Sequence, residues 1–306
     1  MKVIFEYIID FWKRTDKKAL FSVTVFTGIL VYINFHFLLD DVIRKENIFW
    51  IKLFLWYGVF LSAFALAYLI VFLHKPLLFP VKAGFWILLL IAPAIFSLKL
   101  SLSFSFRITD DTALNNYWNQ VLYWPFLLFI VMVLLFIIWI FLDNKQSFFG
   151  LKAKGIYWKP YLIMLLVMIP LIVIASTQHD FLATYPKLKT AFSINNNSTE
   201  ITFWKIIIYE LSYGSDFISI ELFFRGFLIL AFIKWVGKDA ILPMACFYCT
   251  IHFGKPLGEC ISSYFGGILL GIVVYNTRSI WGGLLVHLGI AWLMEVGGYI
   301  GNHINQ

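Results

Sequence analysis

The feature that most constrains this chain is a succession of apolar segments, many of them as long as a lipid bilayer is thick. A transmembrane helix needs about 20 mostly apolar residues. Five segments in the first part of the chain satisfy this requirement, and four shorter or more polar segments follow. The first five are 19–39, 48–73, 83–103, 121–142 and 160–176, and the others are 216–235, 240–253, 260–276 and 280–298. The pattern predicts an all-α fold, a polytopic membrane helix bundle of about eight or nine transmembrane helices.

The first residues of the chain predict a helix that lies on the membrane and does not cross it. Val3, Ile4, Tyr7, Ile8 and Phe11 have helical spacing, and acidic residues interrupt the apolar run. Amphipathic segments of this kind lie in the membrane interface. We therefore expect an N-terminal amphipathic helix before the first span, and not a cleavable signal peptide.

The composition supports a membrane protein and excludes a soluble one. Hydrophobic residues make up 61% of the chain and charged residues 13%, whereas soluble domains carry about 25% charged residues. The net charge of +7 comes mostly from basic residues between the apolar segments, where Lys and Arg fix topology. This distribution favours a multi-pass protein of the cell (inner or plasma) membrane with a cytoplasmic N-terminus. No basic stretch is interleaved with aromatic residues in a soluble segment, so we expect the lipid bilayer as a partner and no nucleic acid.

The last four apolar segments differ in composition from the first five. They and their connections contain most of the glycines, all the cysteines and several ionisable residues. We therefore expect two functional parts. Residues 1–203 are predicted to hold N-terminal membrane helices with a polar extracytoplasmic loop at 177–203, and residues 204–306 to form the helical core that carries the motifs.

Two patterns of small residues in this core have a structural interpretation. Gly267 and Gly271 form a G-x-x-x-G, which lets helices approach closely in lipid. Cys246 and Cys249 have the spacing of half a zinc site, but the chain has no second pair. Buried packing is the favoured interpretation for them and for Cys260.

Ionisable residues inside the apolar segments are the candidates for function. The stretch ISIELFFRGFL places Glu221 and Arg225 four residues apart, on one face of a helix. His252 and His287 also lie within apolar runs, and Glu259 lies near a segment end. An ionisable side chain at the centre of a membrane costs about 2.5–3.5 kcal/mol on insertion scales, so such residues usually face a polar cavity and mark function. The Glu–Arg pair alone is equally compatible with mutual neutralisation.

The surroundings of the two histidines strengthen the functional interpretation. Gly254 and Pro256 follow His252 and predict a break in the helix after His252. Broken helices at membrane depth are tolerated where they line a cavity or are buried in protein. His287 lies in the middle of the last span without a polar neighbour on its own helix. We therefore expect its partner to come from another helix, a water or a metal.

These motifs resemble a known family. ELFFRG, YCTIH and the membrane-embedded His287 are similar to the motifs of the CPBP family of type II CAAX endopeptidases and bacteriocin-processing intramembrane proteases, and HFGKPLGE is similar to bacterial members. The resemblance covers about residues 205–300. It implies an intramembrane endopeptidase that hydrolyses a peptide bond near the membrane with Glu- and His-activated water, acting on a peptide or membrane-protein substrate. It places Glu221 on the second Glu of the family motif, Arg225 on its Arg, and the two histidines on the second and third motifs.

The resemblance also implies roles, and two positions depart from it. Glu221 and His252 would activate water, His287 would assist or stabilise the oxyanion, and Arg225 would orient Glu221. Ile220 occupies the position of the first Glu, and Ala291 that of an Asn or Asp. Glu259 is an alternative carboxylate for water activation.

The departures and the donor set leave alternatives open. A Glu with two His side chains matches a catalytic zinc ligand set in kind, although the chain has no H-E-x-x-H. Both a divalent metal such as zinc and metal-free Glu–His chemistry remain candidates. A second hypothesis is a catalytically impaired membrane scaffold or chaperone that binds a partner helix or lipidated peptide. A third is a proton-coupled transporter, for which the matching halves with paired broken helices are not seen.

Overall fold

The computed structural model describes residues 2–142, 147–152, 156–189 and 202–304. These residues are mainly helical and contain no strand, so the prediction of an all-α polytopic bundle is confirmed. The first eight α-helices are α1 Lys2–Arg14, α2 Lys17–Phe37, α3 Leu39–Lys45, α4 Phe49–His74, α5 Ala83–Ser101, α6 Thr112–Leu142, α7 Lys159–Ala175 and α8 His179–Thr184. The others are α9 Phe203–Glu221, α10 Leu228–Leu230, α11 Ile233–Val236, α12 Ile241–Thr250, α13 Leu257–Thr277 and α14 Trp281–Ile304.

Short helical turns of other types join several of these helices. A π-helical turn, Leu222–Phe227, follows α9 directly and leads into α10. Three 3₁₀ turns occur at Pro76–Leu78, Phe148–Gly150 and Gly237–Ala240. Residues 190–201 of the extracytoplasmic loop predicted at 177–203 lie outside the described residues, and the described first part of the loop contains α8.

Among the described residues, six helices are long and apolar enough to cross a membrane: α2, α4, α5, α6, α13 and α14. The apolar helix α7 is shorter, at 17 residues. These seven helices correspond to seven of the predicted segments, and the chain is a multi-pass membrane protein. The N-terminal segment is the helix α1, as predicted, with Ile4 and Phe11 buried and Val3, Phe5 and Trp12 exposed.

The predicted spans 216–235 and 240–253 are not single long helices in the structure. The first is divided among the end of α9, the π-helical turn and two short helices. The second contains α12, which has 10 residues and is therefore about 15 Å long, half of the ~30 Å hydrocarbon core. Every residue of α12 is buried. Its apolar sequence is thus explained by contact with protein, since protein interiors and lipid select the same side chains.

The described chain divides into two compact units, each made of three separate stretches. Unit 1 comprises Met1–Leu102, Leu134–Lys154 and Leu222–Trp281, and unit 2 comprises Ser103–Val133, Gly155–Glu221 and Gly282–Gln306. The predicted functional division between residues 203 and 204 stays a prediction.

Unit 1 is packed around α12. Phe247 of α12 contacts Phe60 and Phe64 of α4 at ring-centroid distances of 5.0 and 5.6 Å, and Phe224 at 5.2 Å. On another side, α12 lies against α13, where a Cβ added to Gly267 would come within 3.3 Å of the Ala245 side chain. The close helix approach predicted from the G-x-x-x-G is confirmed. In lipid, such contacts act through van der Waals packing of small and aromatic residues.

Unit 2 is organised along α14. A Cβ on Gly282 would overlap the ring of Tyr161 in α7, and one on Gly289 would overlap the side chain of Leu165. Further along the helix, the buried carboxylate of Glu295 accepts a hydrogen bond of 2.9 Å from the backbone N–H of Lys187. Glu295 therefore fixes the segment after α8 to α14.

Candidate functional site

A polar contact within unit 2 joins Glu221 and His287. Glu221 is the last residue of α9, and His287 comes from α14. Glu221 Oε1 lies 2.9 Å from His287 Nδ1, and the side chains are 0% and 13% exposed. The predicted partner of His287 from another helix is thus a carboxylate. Phe217, one turn before Glu221, packs its ring edge against the imidazole at 4.8 Å.

The geometry of this contact indicates which atom donates the hydrogen bond and which accepts it. With a neutral imidazole and an ionised carboxylate, Nδ1–H donates to Oε1, and Nε2 is left as the acceptor atom of the ring. Removing one member of a buried pair costs about 3–5 kcal/mol, so the pair also holds α9 against α14.

Arg225 lies in unit 1, within the π-helical turn Leu222–Phe227, and is fully buried. Its guanidinium carbon is 3.8 Å from the centroid of the Tyr248 ring. A guanidinium over an aromatic face is stabilised by a cation–π interaction, most strongly away from water. π-Helical turns are rare in proteins, and many of those that occur lie at functional sites.

His252 lies in the turn that follows α12, and the helix ends two residues before it at Thr250. A break is therefore present, but it begins before His252 and not after it as predicted, and the next helix begins at Leu257. His252 Nδ1 is 3.1 Å from the Tyr248 carbonyl oxygen. A carbonyl can only accept, so Nδ1 carries the proton and Nε2 is the acceptor atom of the neutral ring. The imidazole also packs against the Tyr248 ring at 4.7 Å.

The turn that carries His252 is held by two residues that sequence reasoning did not select. Asn34 of α2 donates from Nδ2 to the Phe253 carbonyl (3.0 Å) and accepts at Oδ1 from the Asp40 backbone N–H (3.0 Å). A Cβ on Gly254 would overlap Asp40 Oδ2. The available sequence signal was a polar Asn inside the first predicted span, at residues 19–39.

Glu259 and the two residues that depart from the family pattern lie on three different helices. Glu259 lies in the first turn of α13, with Oε1 3.4 Å from Lys255 Nζ. Ile220 precedes Glu221 on α9, and the buried Ala291 lies one turn after His287 on α14. The role of Glu259 as an alternative base stays a prediction.

The donor set does not fit a protein-held metal. Within the described ranges, no three His, Cys, Asp or Glu side chains come together as possible ligands, whereas a catalytic zinc takes three protein ligands. The cysteines are free and buried. Cys249 does not pair with Cys246, since its Sγ donates to the Cys260 carbonyl at 3.3 Å. We therefore derive no step through a metal ion.

The comparisons with known proteins bear on this part of the chain. Residues 203–293 match the family model described as type II CAAX prenyl endopeptidase Rce1-like, which confirms the resemblance found in the motifs. The match covers less than a third of the 306 residues and includes Glu221, Arg225, His252, Glu259 and His287. No curated protein and no solved structure matches the chain. At the level of the family, the match supports a membrane protease with peptide substrates.

Proposed function

We propose that this chain is an intramembrane endopeptidase of the CAAX type, in which the Glu221–His287 pair activates the attacking water. The observation that carries the proposal is the 2.9 Å contact between the two side chains, which come from different helices and both lie within the matched residues 203–293. A carboxylate hydrogen-bonded to one imidazole nitrogen fixes the orientation and the tautomer of the ring, so that the other nitrogen can act as a base.

The proposed reaction is a hydrolysis with a balanced proton path. His287 Nε2 takes a proton from water as the water oxygen bonds to the carbonyl carbon of the substrate. The carbonyl π electrons move to its oxygen and give a tetrahedral oxyanion. When the oxyanion collapses, the C–N bond breaks and the imidazolium returns its proton to the leaving nitrogen. Glu221 stays ionised throughout and stabilises the imidazolium.

His252 and Arg225 enter the proposal through the resemblance. The resemblance assigns His252 a share in water activation and Arg225 a supporting role for the carboxylate. The departure at Ile220 is the reason that we assign the base function to His287, because the family's first Glu is absent and the remaining carboxylate already bonds an imidazole.

The matched family description names prenyl endopeptidases, so we propose a lipidated C-terminal peptide as the substrate class. A lipid anchor would hold such a peptide at the membrane surface, where a multi-pass enzyme can reach its bonds. We also propose the cell membrane as the location and a cytoplasmic N-terminus, and the distribution of basic residues supports this orientation.

The test uses the full chain, purified in detergent and reconstituted in vesicles. The probe is a synthetic peptide that ends in a farnesylated Cys and three further residues, and mass spectrometry follows its cleavage. The same peptide without the farnesyl group measures prenyl dependence. We expect cleavage by the wild type and a loss of about 10²–10⁴-fold in Glu221→Gln and in His287→Ala.

Matched controls separate chemistry from folding. Glu6→Gln removes an exposed carboxylate of α1, and His303→Ala removes an exposed imidazole from the same helix as His287. Both should retain wild-type rates. Cleavage of either peptide at wild-type rates by Glu221→Gln and His287→Ala would contradict the proposal. Loss in Glu259→Gln alone would transfer the base function to Glu259.

A further inference from the structure

Two buried cysteines lie next to each other at the two ends of the turn that carries His252. Cys249 is the next-to-last residue of α12, and Cys260 lies in the first turn of α13. Their Sγ atoms are 3.9 Å apart, and the two residues are 1% and 0% exposed. Cys249 Sγ also donates to the Cys260 carbonyl oxygen at 3.3 Å. The sulfur of one cysteine therefore lies against both the sulfur and the backbone of the other, within unit 1.

The separation of the two sulfur atoms is close to what a disulfide requires. A sulfur–sulfur bond is about 2.05 Å long, so the two atoms have to approach each other by about 2 Å. Both cysteines belong to one buried apolar cluster, together with Phe253 and Tyr264. A bond formed in this cluster is shielded from the reductants that open exposed disulfides.

The turn lies near the end of α2 that is farther from the N-terminus. Asn34, in the last turn of α2, donates to the Phe253 carbonyl oxygen of the turn at 3.0 Å. Since α2 is long and apolar enough to cross the membrane, its two ends belong to opposite sides. With the cytoplasmic N-terminus proposed above, the turn is on the extracytoplasmic side. Disulfides form and persist outside the cytoplasm, where the environment is oxidising.

We propose that Cys249 and Cys260 form an intramolecular disulfide that ties α12 to α13 across the turn of His252. The oxidant is a disulfide, either of a small thiol or of an oxidoreductase, and local opening of the turn gives it access. One cysteine loses its proton and attacks a sulfur of the oxidant, whose S–S bond breaks and releases a first thiol. The other cysteine loses its proton, attacks the mixed disulfide and releases a second thiol. The two electrons and two protons lost by the cysteines are carried by the two released thiols.

The disulfide has a physical consequence for the turn. The ring that it closes runs from residue 249 to residue 260 and contains His252, Gly254 and Pro256. A covalent ring lowers the conformational entropy of the unfolded chain, which stabilises the folded protein. We therefore expect the oxidised protein to unfold at a higher temperature than the reduced protein. Formation of the bond requires nothing from the proposed peptidase reaction.

The experiment counts the thiols of the full chain in detergent. The protein is first reduced and then equilibrated with an excess of oxidised over reduced glutathione. The remaining thiols are alkylated with N-ethylmaleimide in denaturant, and the labels are counted by mass spectrometry. Because the chain has three cysteines, the reduced protein takes up three labels, and the protein with the disulfide takes up one. We expect the form with one label, and peptic peptides linked through Cys249 and Cys260.

Cys246→Ala is the matched control, because it removes a buried cysteine that lies one turn before Cys249 on α12. This variant should still form the bond, whereas Cys249→Ala and Cys260→Ala should form no internal disulfide. The wild-type count needs no substitution, so the proposal stays testable even if a variant fails to fold. Three labels on the wild type in excess oxidised glutathione, or a bond that includes Cys246, would overturn the proposal.

Discussion

The guanidinium of Arg225 lies on the face of the Tyr248 ring, 3.8 Å from its centroid. Tyr248 is the aromatic residue of the motif that ends in His252, and its carbonyl oxygen accepts from the imidazole of that histidine. One residue thus contacts both basic side chains of unit 1 that the motifs selected. The aromatic position of the motif therefore has a physical role, which is to provide a polarisable face beneath a buried cation.

Two variants of Tyr248 test whether the aromatic face beneath Arg225 stabilises the protein. In Tyr248→Phe the face under Arg225 is kept, and in Tyr248→Leu it is lost. We expect Tyr248→Leu to be less stable than Tyr248→Phe by about 2 kcal/mol, the value of a cation–π interaction away from water. Thermal unfolding of the two variants in the same detergent measures the difference. Equal stability of the two variants would show that the ring face does not stabilise the guanidinium of Arg225.

The Glu221–His287 contact predicts non-additive kinetics. If the two side chains act as one base, either single substitution removes its function, and the second adds little. We expect the double variant Glu221→Gln/His287→Gln to cleave the farnesylated peptide no more slowly than the slower single variant. Values of kcat/KM for the three variants and the wild type complete the cycle. Multiplied losses in the double variant would mean that the residues act independently.

Much of the fold was predictable, because membrane burial and helix breaking leave strong sequence patterns. The long apolar runs predicted six spans and the shorter α7, and Gly254 with Pro256 predicted the break near His252. The lack of a polar neighbour for His287 predicted a partner from another helix, and Glu221 is that partner. What the sequence did not contain was the identity of the partner, since residues 66 positions apart are brought together by packing alone.

The short length of α12 and the role of Asn34 were not predictable, because hydropathy does not report tertiary contacts. The 10-residue helix α12 was predicted as a span because side chains buried by protein are as apolar as those facing lipid. Asn34 was overlooked because a single amide barely changes the hydropathy of a span. Its importance depends on the Phe253 carbonyl and the Asp40 N–H that it satisfies, and those contacts are tertiary.

The role of Asn34 gives a test of the turn that carries His252. Asn34→Leu leaves one buried acceptor and one donor unsatisfied, at a cost of about 1–3 kcal/mol each. We expect a lower unfolding temperature and slower peptide cleavage. Asn276→Leu is the control, because the Asn276 amide donates only to Ile272 within its own helix. If both variants behave like the wild type, the turn is held by other contacts.

Two adjacent glycines of α13 provide a matched test of the packing of α13 against the Tyr248 ring. A Cβ on Gly267 would lie 3.1 Å from the Tyr248 ring and 3.3 Å from the Ala245 side chain, whereas one on Gly266 would meet nothing within 4 Å. Both substitutions to Leu improve helix propensity by a similar amount. We expect Gly267→Leu to destabilise the protein by about 1–3 kcal/mol, as overpacking does, and Gly266→Leu to leave stability unchanged or higher.

The same pair of variants connects packing with the proposed chemistry. A leucine at position 267 would push the Tyr248 ring away from Gly267 and so disturb its contacts with Arg225 and His252. Peptide cleavage should therefore fall in Gly267→Leu even at temperatures where that variant is folded, as judged by its unfolding curve. Gly266→Leu should cleave at the wild-type rate. Full activity in folded Gly267→Leu would show that the position of the Tyr248 ring does not matter for the reaction, and would leave Arg225 and His252 to be tested by direct substitution.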